Sequence, residues 1–514
     1  MIKKKKIFFN WIQKHATKPM CFALIFIVIN MLLTAHLWSR YGVSSTVSLV
    51  IVLIVEVVTE VLLVFFFLKL KKKKLPIEKL FLVLYIPIGL LFVIFLPSQQ
   101  APDSYAHLTR AYEVSTGVLV AQPADDGITG ATLPTEIRHF IEQEEKYAYE
   151  IENLGLQIGD ETYIEQIHYP SASGYNPISY APHAAGILVG RLFHLPIIFV
   201  MILGRLFCML TFAAMAYFAI KTIPRYKTFL AFVCLFPMTI QQTTSYTADA
   251  MTLGVTIMAI GFALHLIYDN YERISNRQLA GIVALGVALA LCKVVYFPLM
   301  GLFILVPWKN FGSKRRKWVI ALITLAVGVL SEVVWMKIQT TSQGTVLVNG
   351  QFTFILEHPL KYLIYVIGTM TDYMSTFYIS STFGMSLGAW RFDLPNVYFY
   401  FALFMTFVTF LFATEHGKVS VGQRLMAWAI SSTTILAFMT ILFTQWTPEG
   451  ANHIEGVQGR YFIPLLPLAP VMLSSSKNKL DKPTMDYQYP LLFNMFFCIM
   501  AVATIIAVNL VGVF

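Results

Sequence analysis

The sequence has little charge. Only 13% of its 514 residues are Asp, Glu, Lys or Arg, whereas a soluble domain carries roughly 25% charged residues. This composition, with 57% hydrophobic residues, excludes an ordinary water-soluble enzyme. Uncharged apolar runs of about 18 or more residues recur, and each can cross a bilayer as a helix. Lipid offers no partners for backbone amides, so the sequence predicts an all-α, polytopic transmembrane helix bundle.

Cysteine is also scarce, and the motifs of soluble cofactor-binding domains are missing. All five cysteines lie in apolar runs, which is typical of core or lipid-facing side chains rather than of a disulfide framework or metal site. No Walker-type phosphate loop, internal repeat or low-complexity tract is present. We therefore expect no resident cofactor and no metal site; a divalent cation is not indicated. The basic runs lack a folded domain to present them, so nucleic acid is not an expected partner.

The apolar runs predict about thirteen crossings. They lie near 19–38, 46–68, 80–96, 196–220, 228–243, 251–268, 279–292, 295–307, 318–336, 396–414, 424–445, 461–474 and 490–513. With the N-terminus in the cytoplasm, the inner connections hold 27 Lys and Arg residues and the outer ones hold 10. This asymmetry is the one expected from the positive-inside rule. It predicts a multi-pass membrane protein whose cytoplasmic face lies against anionic lipid.

Two long connections fall on the outer side in this topology, at 97–195 and 337–395. In the first, the apolar segment 177–193 is interrupted by Pro182 and predicts an interfacial or re-entrant helix that begins and ends outside. In the second, the aromatic-rich segment 359–388 either lies along the interface or crosses. The sequence thus predicts extracytoplasmic juxtamembrane helices beside the bundle.

Several short blocks carry a family resemblance. They are Pro102 to Glu113, Tyr175 to Pro177, Phe236 to Met238, Ser245 to Asp249 and Gly456 to Tyr461. In this order they resemble a bacterial polytopic family catalogued as a domain of unknown function. That family in turn resembles the C superfamily of glycosyltransferases (GT-C), which are membrane enzymes that use lipid-phosphate-linked sugars. Ser104 stands where the family usually has a second acidic residue, so paired carboxylates are not implied.

The resemblance implies an architecture, a location and an activity. Residues 80–513 would form a GT-C-like transmembrane module, and residues 1–79 would add a cytoplasmic segment and two further spans. The protein would lie in the bacterial cytoplasmic membrane with its site facing outward. It would move a sugar from a polyprenyl-phosphate donor to an envelope glycan or lipid acceptor.

Asp103 is the candidate catalytic base. Inverting transfer to a hydroxyl requires one general base and one cationic group at the departing phosphate, and it does not require the closely paired carboxylates of retaining hydrolysis. Asp103 lies just beyond the predicted span 80–96, where a lipid-borne phosphate would be presented. The alternative is structural, because Asp is also a favoured N-cap for a helix beginning at Ser104.

Arg460, Lys293 and Gln458 are the candidate donor-phosphate ligands. Arg460 is the only Lys or Arg in the outer loop 446–460, and a guanidinium can hold two phosphate oxygens at once. Lys293 lies at an outer turn and would add a second contact. The alternative for both cations is snorkelling to the interface, which Lys and Arg commonly show at span ends. Gln458 is alternatively a surface polar residue.

Four further residues are candidates for orienting substrate. Asp249 either orients an acceptor or caps a helix beginning at Ala250. His107 and Arg110 follow Asp103 by four and seven residues, so they would share its helical face and tune the base or bind an anion. Pairing with acidic residues of the same loop is the alternative for these two. His183 is either a substrate contact or a satisfied interfacial histidine.

Three functions stay open at this point. The first is the glycosyltransferase, for which Asp103 and Arg460 should converge on a groove. The second is a transporter or flippase of lipid-linked glycans, for which charged residues near the membrane midplane are expected, such as Glu56 and Glu60. The third is a non-catalytic assembly protein of the envelope, which would have no convergent site. The outer location of the polar residues favours the enzyme.

Overall fold

A computed structural model describes residues 17–42, 45–98, 101–123, 129–138, 156, 158–159, 164–269, 273–343, 351–371, 374–413, 419–474 and 488–509. Most of the predicted N-terminal cytoplasmic segment lies outside these residues. The α-helices of the first half are α1 (Thr17–Arg40), α2 (Thr46–Lys72), α3 (Ile77–Phe95), α4 (Ser104–Ser115), α5 (Pro170–Ser173), α6 (Ala181–Leu192), α7 (Ile197–Thr222), α8 (Lys227–Cys234), α9 (Pro237–Thr244) and α10 (Asp249–Tyr268).

The second half of the chain is also mostly helical. Its α-helices are α11 (Asn276–Lys293), α12 (Lys314–Gln343), α13 (Gln351–Glu357), α14 (Pro359–Thr371), α15 (Met374–Phe383), α16 (Val397–Val408), α17 (Val421–Gln445), α18 (Ala469–Leu473) and α19 (Gln488–Asn509). Segments of 3₁₀-helix occupy Pro177–Ser179, Val294–Leu305, Trp308–Phe311 and Gly459–Leu468, and a π-turn occupies Thr409–Ala413.

The few strands lie outside the predicted spans. β1 (Gln122–Pro123), β2 (Thr129–Pro134) and β3 (Ile164–His168) form an antiparallel sheet in the order β1-β2-β3. β4 (Ser386–Leu387) pairs with β5 (Phe392–Asp393) in a small hairpin.

The apolar surface is that of a membrane protein. Nine helices of the described part are long and apolar enough to cross a bilayer: Pro19–Arg40, Thr46–Lys72, Ile77–Phe95, Ile197–Thr222, Asp249–Tyr268, Asn276–Leu305, Lys314–Gln339, Val421–Gln445 and Tyr489–Asn509. α19 is enclosed by its neighbours, whereas α1, α2 and α12 expose large apolar side chains such as Leu32, Ile51 and Leu322. The prediction of an all-α, polytopic membrane protein is confirmed.

The predicted count of thirteen spans is not confirmed, for a physical reason. The predicted spans near 228–243 and 461–474 are each divided into shorter pieces. Pro237 begins α9, and Pro464 lies inside the 3₁₀ segment that precedes α18. Proline lacks the amide hydrogen that a continuous α-helix requires, so these pieces fall short of the length of a regular span.

The predicted spans 279–292 and 295–307 correspond to two consecutive helical pieces, α11 and the 3₁₀ segment Val294–Leu305. Together they make the apolar segment Asn276–Leu305, which folds back on itself at Lys293, where the backbone is extended. The backbone amide of Ile274, two residues before α11, donates to the carbonyl of Asn310 at 2.8 Å. Asn310 lies five residues after Leu305, in the next 3₁₀ segment. Both ends therefore lie at the same end of the bundle. The turn between the two halves, at Lys293, lies at the opposite end, as the sequence predicted.

Arg205 binds the C-terminal ends of two helices, α3 and α9. Arg205 belongs to α7 and is buried. Its guanidinium donates to the carbonyls of Phe92 and Leu96 at 2.9 and 2.7 Å, and to that of Thr244 at 2.5 Å. The last carbonyls of a helix lack intrahelical partners and carry partial negative charge, so a cation stabilises them. α3 and α9 therefore end together, and we call this end of the bundle the site end.

α6 lies beyond the site end rather than across the bundle. Its twelve residues span about 18 Å, which is too short for a bilayer core. It packs antiparallel on the first part of α7, where a Cβ on Gly186 would collide with the carbonyl of Leu203. The structure thus agrees with a helix at 177–193 that does not cross.

The orientation of the site end gives a first testable prediction. Cysteines at the exposed positions Thr116 and Lys73, in a Cys21→Ser background, should react with a membrane-impermeant maleimide from opposite sides. The cysteine at 116 should react in intact spheroplasts, and the cysteine at 73 only after lysis. Reaction of both from one side would contradict the topology on which an outward site depends.

Candidate functional site

Three charged side chains meet at the site end, and we call them the Asp249 cluster. The Lys293 ammonium donates to Oδ1 of Asp249 at 2.9 Å, and Nε of Arg460 lies 3.4 Å from Oδ2. All three side chains are shielded from the surroundings, with exposed fractions of 19%, 13% and 7% for Lys293, Asp249 and Arg460. They form one linked group rather than three separate surface charges.

The local fold explains why these residues meet. Asp249 is the first residue of α10, where the helix N-terminus favours a carboxylate. Lys293 is the last residue of α11, where the helix C-terminus favours a cation. Arg460 is the second residue of the 3₁₀ segment Gly459–Leu468. Three helical segments therefore place their ends at one point. The charges of Asp249 and Lys293 suit their helix ends, whereas Arg460 lies at an N-terminus, which does not favour a cation.

The cluster holds more positive than negative charge. Lys293 and Arg460 share the single carboxylate of Asp249, and both cations also lie over the ring of Tyr461, at 4.8 and 5.4 Å from its centre. His107 is close but adds no charge, because burial, and then the nearby Arg460, lower the pKa of its imidazole to about 3. The excess cation in a shielded site favours the binding of an anion.

A small pocket opens beside Arg460. It is partly open to the outside. Arg460 belongs to both the pocket wall and the Asp249 cluster, and its Nη1 donates to Oε1 of Gln242 at 3.4 Å. Its contacts with Gln242 and Asp249 use fewer than the five N–H donors of a guanidinium. The other lining residues are Pro102, Met238, Gln241, Gln242, Ser381, Ser386, Ala389, Trp390, Gln458 and Gly459.

Asp103 follows directly on the pocket-lining Pro102. α4 begins at Ser104, as the sequence predicted, and Asp103 holds the N-cap position. Its side chain is nevertheless exposed and makes no capping hydrogen bond, and its backbone is left-handed, with φ 59°. A non-glycine residue in this conformation is uncommon, although Asp tolerates it better than most residues. The carboxylate is therefore exposed, is not used by the helix cap and follows a pocket-lining residue in the chain.

The structure brings most of the other predicted residues to this site. Gln458 lines the pocket and Lys293 belongs to the Asp249 cluster. Asp249 begins α10 itself, where its side chain faces two cations and the Thr247 hydroxyl accepts its amide hydrogen. The Nδ1 of His107 is hydrogen-bonded to the Tyr180 hydroxyl at 2.7 Å.

Arg110 and His183 lie in other surroundings. The guanidinium of Arg110 pairs with Glu113 at 2.5 Å and donates to the carbonyls of Val118 and Leu119, so it fastens the loop after α4. His183 is buried; its Nε2 is hydrogen-bonded to the carbonyl of Ser245 at 3.0 Å, and burial lowers the pKa of its ring to about 4. Both residues therefore make structural contacts, although Arg110 pairs with Glu113 of its own helix and His183 is buried rather than interfacial.

The sequence did not single out several residues that the structure places here. Tyr461 and Met238 lie in the quoted blocks without an assigned role, and Gln242 and Trp390 carry no local motif. Their positions depend on how distant segments meet, which the order of residues does not reveal. Among the described residues, no group of three or more His, Cys, Asp or Glu side chains is placed to hold a metal ion.

Comparison with known proteins gives one match. A family model described as "Predicted membrane protein (DUF2142)" matches residues 86–469, about three quarters of the chain. No curated protein and no solved structure matches the sequence. The matched range begins within α3, so α1 and α2 precede it, and it ends at Ala469, so α19 follows it.

Proposed function

We propose that this chain, which belongs to the DUF2142 family of predicted membrane proteins, is a glycosyltransferase that uses a polyprenyl-phosphate sugar. The sugar passes to a hydroxyl of an envelope glycan or lipid at the outer face, with inversion. The proposal includes the location of the protein in the bacterial cytoplasmic membrane. It also includes the division into an 80–513 GT-C-like module and an N-terminal addition at 1–79.

One observation carries the proposal. The pocket has the cationic Asp249 cluster on its wall at Arg460, and the exposed carboxylate of Asp103 follows the lining residue Pro102. A shielded cation stabilises the charge that develops on a departing phosphate. A nearby free carboxylate accepts the proton of an attacking hydroxyl. These are the two groups that an inverting transfer from a lipid phosphate requires.

The reaction assigns one role to each group. The acceptor oxygen forms a bond to the anomeric carbon while the bond from that carbon to the phosphate oxygen breaks. The bonding electron pair leaves on polyprenyl phosphate, whose charge Arg460 and Lys293 offset. Asp103 receives the hydroxyl proton and later returns it to water. Asp249 acts as a positioning residue, because it holds Lys293 and Arg460 near each other despite their repulsion.

The transporter alternative was tied to Glu56 and Glu60, and the structure shows their surroundings. Oε1 of Glu60 accepts from the amide of Asn30 at 2.6 Å, and Oε1 of Glu56 accepts from Thr34 at 3.1 Å. The amide of Asn30 also donates to the carbonyl of Phe496 at 3.0 Å. This network fastens α1 and α2 to α19, and none of its residues lines the pocket.

The test of the proposed activity is a transfer assay. The full chain in nanodiscs is incubated with polyprenyl-phosphate hexoses, labelled in the sugar, and with a lipid and glycan extract of the bacterial envelope. We expect release of polyprenyl phosphate together with label in a new acceptor product. In proteoliposomes, label that crosses the bilayer while still attached to its polyprenyl phosphate would instead support the flippase. Binding without either event would support the assembly protein.

Lys293 provides a prediction about electrostatics. Replacing it by Met leaves Asp249 to offset Arg460 alone, so the excess positive charge disappears. The loss of one unit charge several ångströms from the phosphate weakens their attraction, which we evaluate with an effective dielectric constant of about 20. The expected result is a roughly 10- to 100-fold loss in affinity for polyprenyl phosphate. Lys361→Met, which removes an exposed lysine outside the pocket, should leave this affinity unchanged. Equal affinity of Lys293→Met and wild type would contradict the role of the cluster.

A further inference from the structure

The hairpin of β4 and β5 presents a strained turn to the pocket. Three consecutive residues of this turn, Gly388, Ala389 and Trp390, have positive φ angles of 59°, 51° and 71°. Glycine adopts this conformation readily, whereas in alanine and tryptophan it is strained. Such strain persists only where the surroundings enforce it, so the position of the turn requires an explanation.

Two side-chain contacts hold the turn in place. The amide of Gly388 donates to Oε1 of Gln241 on α9 at 2.9 Å, and the Ser386 hydroxyl donates to Oδ1 of Asp393 at 2.6 Å. Gln241 itself lines the pocket and is buried. The strained backbone is thus fastened to the pocket wall, and it places Trp390 in the lining.

Trp390 offers an accessible aromatic surface there. The residue is 48% exposed, and its ring contacts that of Phe377 at 6.4 Å between centres, so one neighbour supports it while much of the indole stays open. Met238 supplies a further apolar surface in the same pocket.

The polar part of the lining is neutral except at Arg460. Gln458 and Gln242 contribute amide groups, which both donate and accept hydrogen bonds, although Oε1 of Gln242 also accepts from Arg460. The hydroxyl of Ser381 already donates to the Tyr378 carbonyl and accepts from the Gly459 amide. Arg460 is the single charged side chain among the described lining residues. A ligand complementary to this wall has one anionic end, several hydroxyls and one apolar face.

We infer that the pocket is the subsite for the neutral sugar ring of the donor, and that Trp390 is its stacking platform. This inference rests on the proposed function, since the anomeric phosphate of the same donor is placed at Arg460. One face of a pyranose ring is lined by C–H groups and packs on an indole, whose ring face is electron-rich. The ring hydroxyls then face the amides of Gln242 and Gln458. A hexose without ionised substituents fits this lining.

The test separates the sugar from its phosphate. Affinities of the full chain in nanodiscs are measured for bare polyprenyl monophosphate and for polyprenyl phosphates that carry glucose, galactose, mannose or N-acetylglucosamine. We expect at least one sugar-bearing probe to bind roughly tenfold more tightly than the bare phosphate, since the sugar adds apolar contact with the indole that the bare phosphate lacks. Trp390→Ala should remove this gain and leave the bare phosphate unaffected, whereas Trp390→Phe should keep most of it.

The outcomes distinguish this inference from the proposed function. Three results would each overturn the role of Trp390. The sugar-bearing probes could keep their higher affinity in Trp390→Ala, none of the four sugars could raise the affinity in wild type, or Trp390→Ala could weaken the bare phosphate equally. Dependence of bare-phosphate binding on Arg460 would still support the donor-phosphate site in those cases. Trp428→Ala, which removes a 49% exposed tryptophan of α17 that does not line the pocket, is the matched control and should change neither affinity.

Discussion

Asp103→Asn is expected to abolish measurable sugar transfer while leaving the binding of polyprenyl phosphate intact. The substitution keeps the size and the hydrogen-bonding reach of the side chain, but it removes the basic oxygen. Loss of a general base lowers the rate by about 10²–10⁴-fold. Because the Asp103 side chain makes no capping hydrogen bond, the change should have little effect on folding. Transfer rate under saturating donor, and melting temperature, are the measurements.

The matched control is Asp269→Asn. It makes the same chemical change at a half-exposed aspartate just after α10, at the end of that helix opposite the Asp249 cluster. Its transfer rate should equal that of wild type. Near-normal turnover by Asp103→Asn would show that the carboxylate is not the base, and it would reduce Asp103 to a residue of the tight turn before α4.

Arg460→Ala is expected to give the second large effect. It removes the cation that we propose to face the departing phosphate, and loss of one such preorganised group costs about 10²–10³-fold in rate. Arg460→Lys keeps the charge but loses the planar arrangement of donors that can hold two phosphate oxygens together. We expect the Lys variant to bind donor more weakly or to transfer more slowly than wild type, with the Ala variant worse. Transfer rate against donor concentration separates these effects.

The controls for this pair are Arg315→Lys and Arg315→Ala. They alter an exposed arginine near the start of α12, close to the connection between Leu305 and Lys314 that lies opposite the site end. An arginine that only anchors the protein at the interface tolerates exchange for lysine, since both side chains snorkel. Equal donor dependence of wild type and Arg460→Lys would therefore identify Arg460 as an anchor and contradict its role at the phosphate.

The class of fold followed from composition, whereas the number of crossings did not. Long apolar runs such as 46–68 and 196–220, which carry only one or two charged residues each, form continuous helices. Length and apolarity largely determine whether a regular helix can span lipid. The shorter predicted spans near Pro237 and Pro464 became broken or 3₁₀ segments. Their geometry depends on which neighbours satisfy the freed backbone groups, and hydropathy does not report this.

The site was predictable as a set of residues but not as an arrangement. Sequence reasoning identified Asp249, Lys293 and Arg460 separately. The ion pairs that make them one group depend on how the ends of three helical segments meet. The left-handed backbone of Asp103 likewise has no local signature. No sequence pattern marks Trp390, because its position depends on a strained turn that is hydrogen-bonded to Gln241, which is distant in sequence.

The most direct test of the central claim is a cryo-electron microscopy map of the full chain in nanodiscs with bound polyprenyl monophosphate. The account predicts density for the phosphate within hydrogen-bonding distance of the Arg460 guanidinium, in the pocket beside Pro102 and Asp103. The Arg460→Ala protein, prepared in the same way, should lack that density. Phosphate density elsewhere on the protein, or equal density at this pocket in both proteins, would contradict the claim that Arg460 holds the donor phosphate.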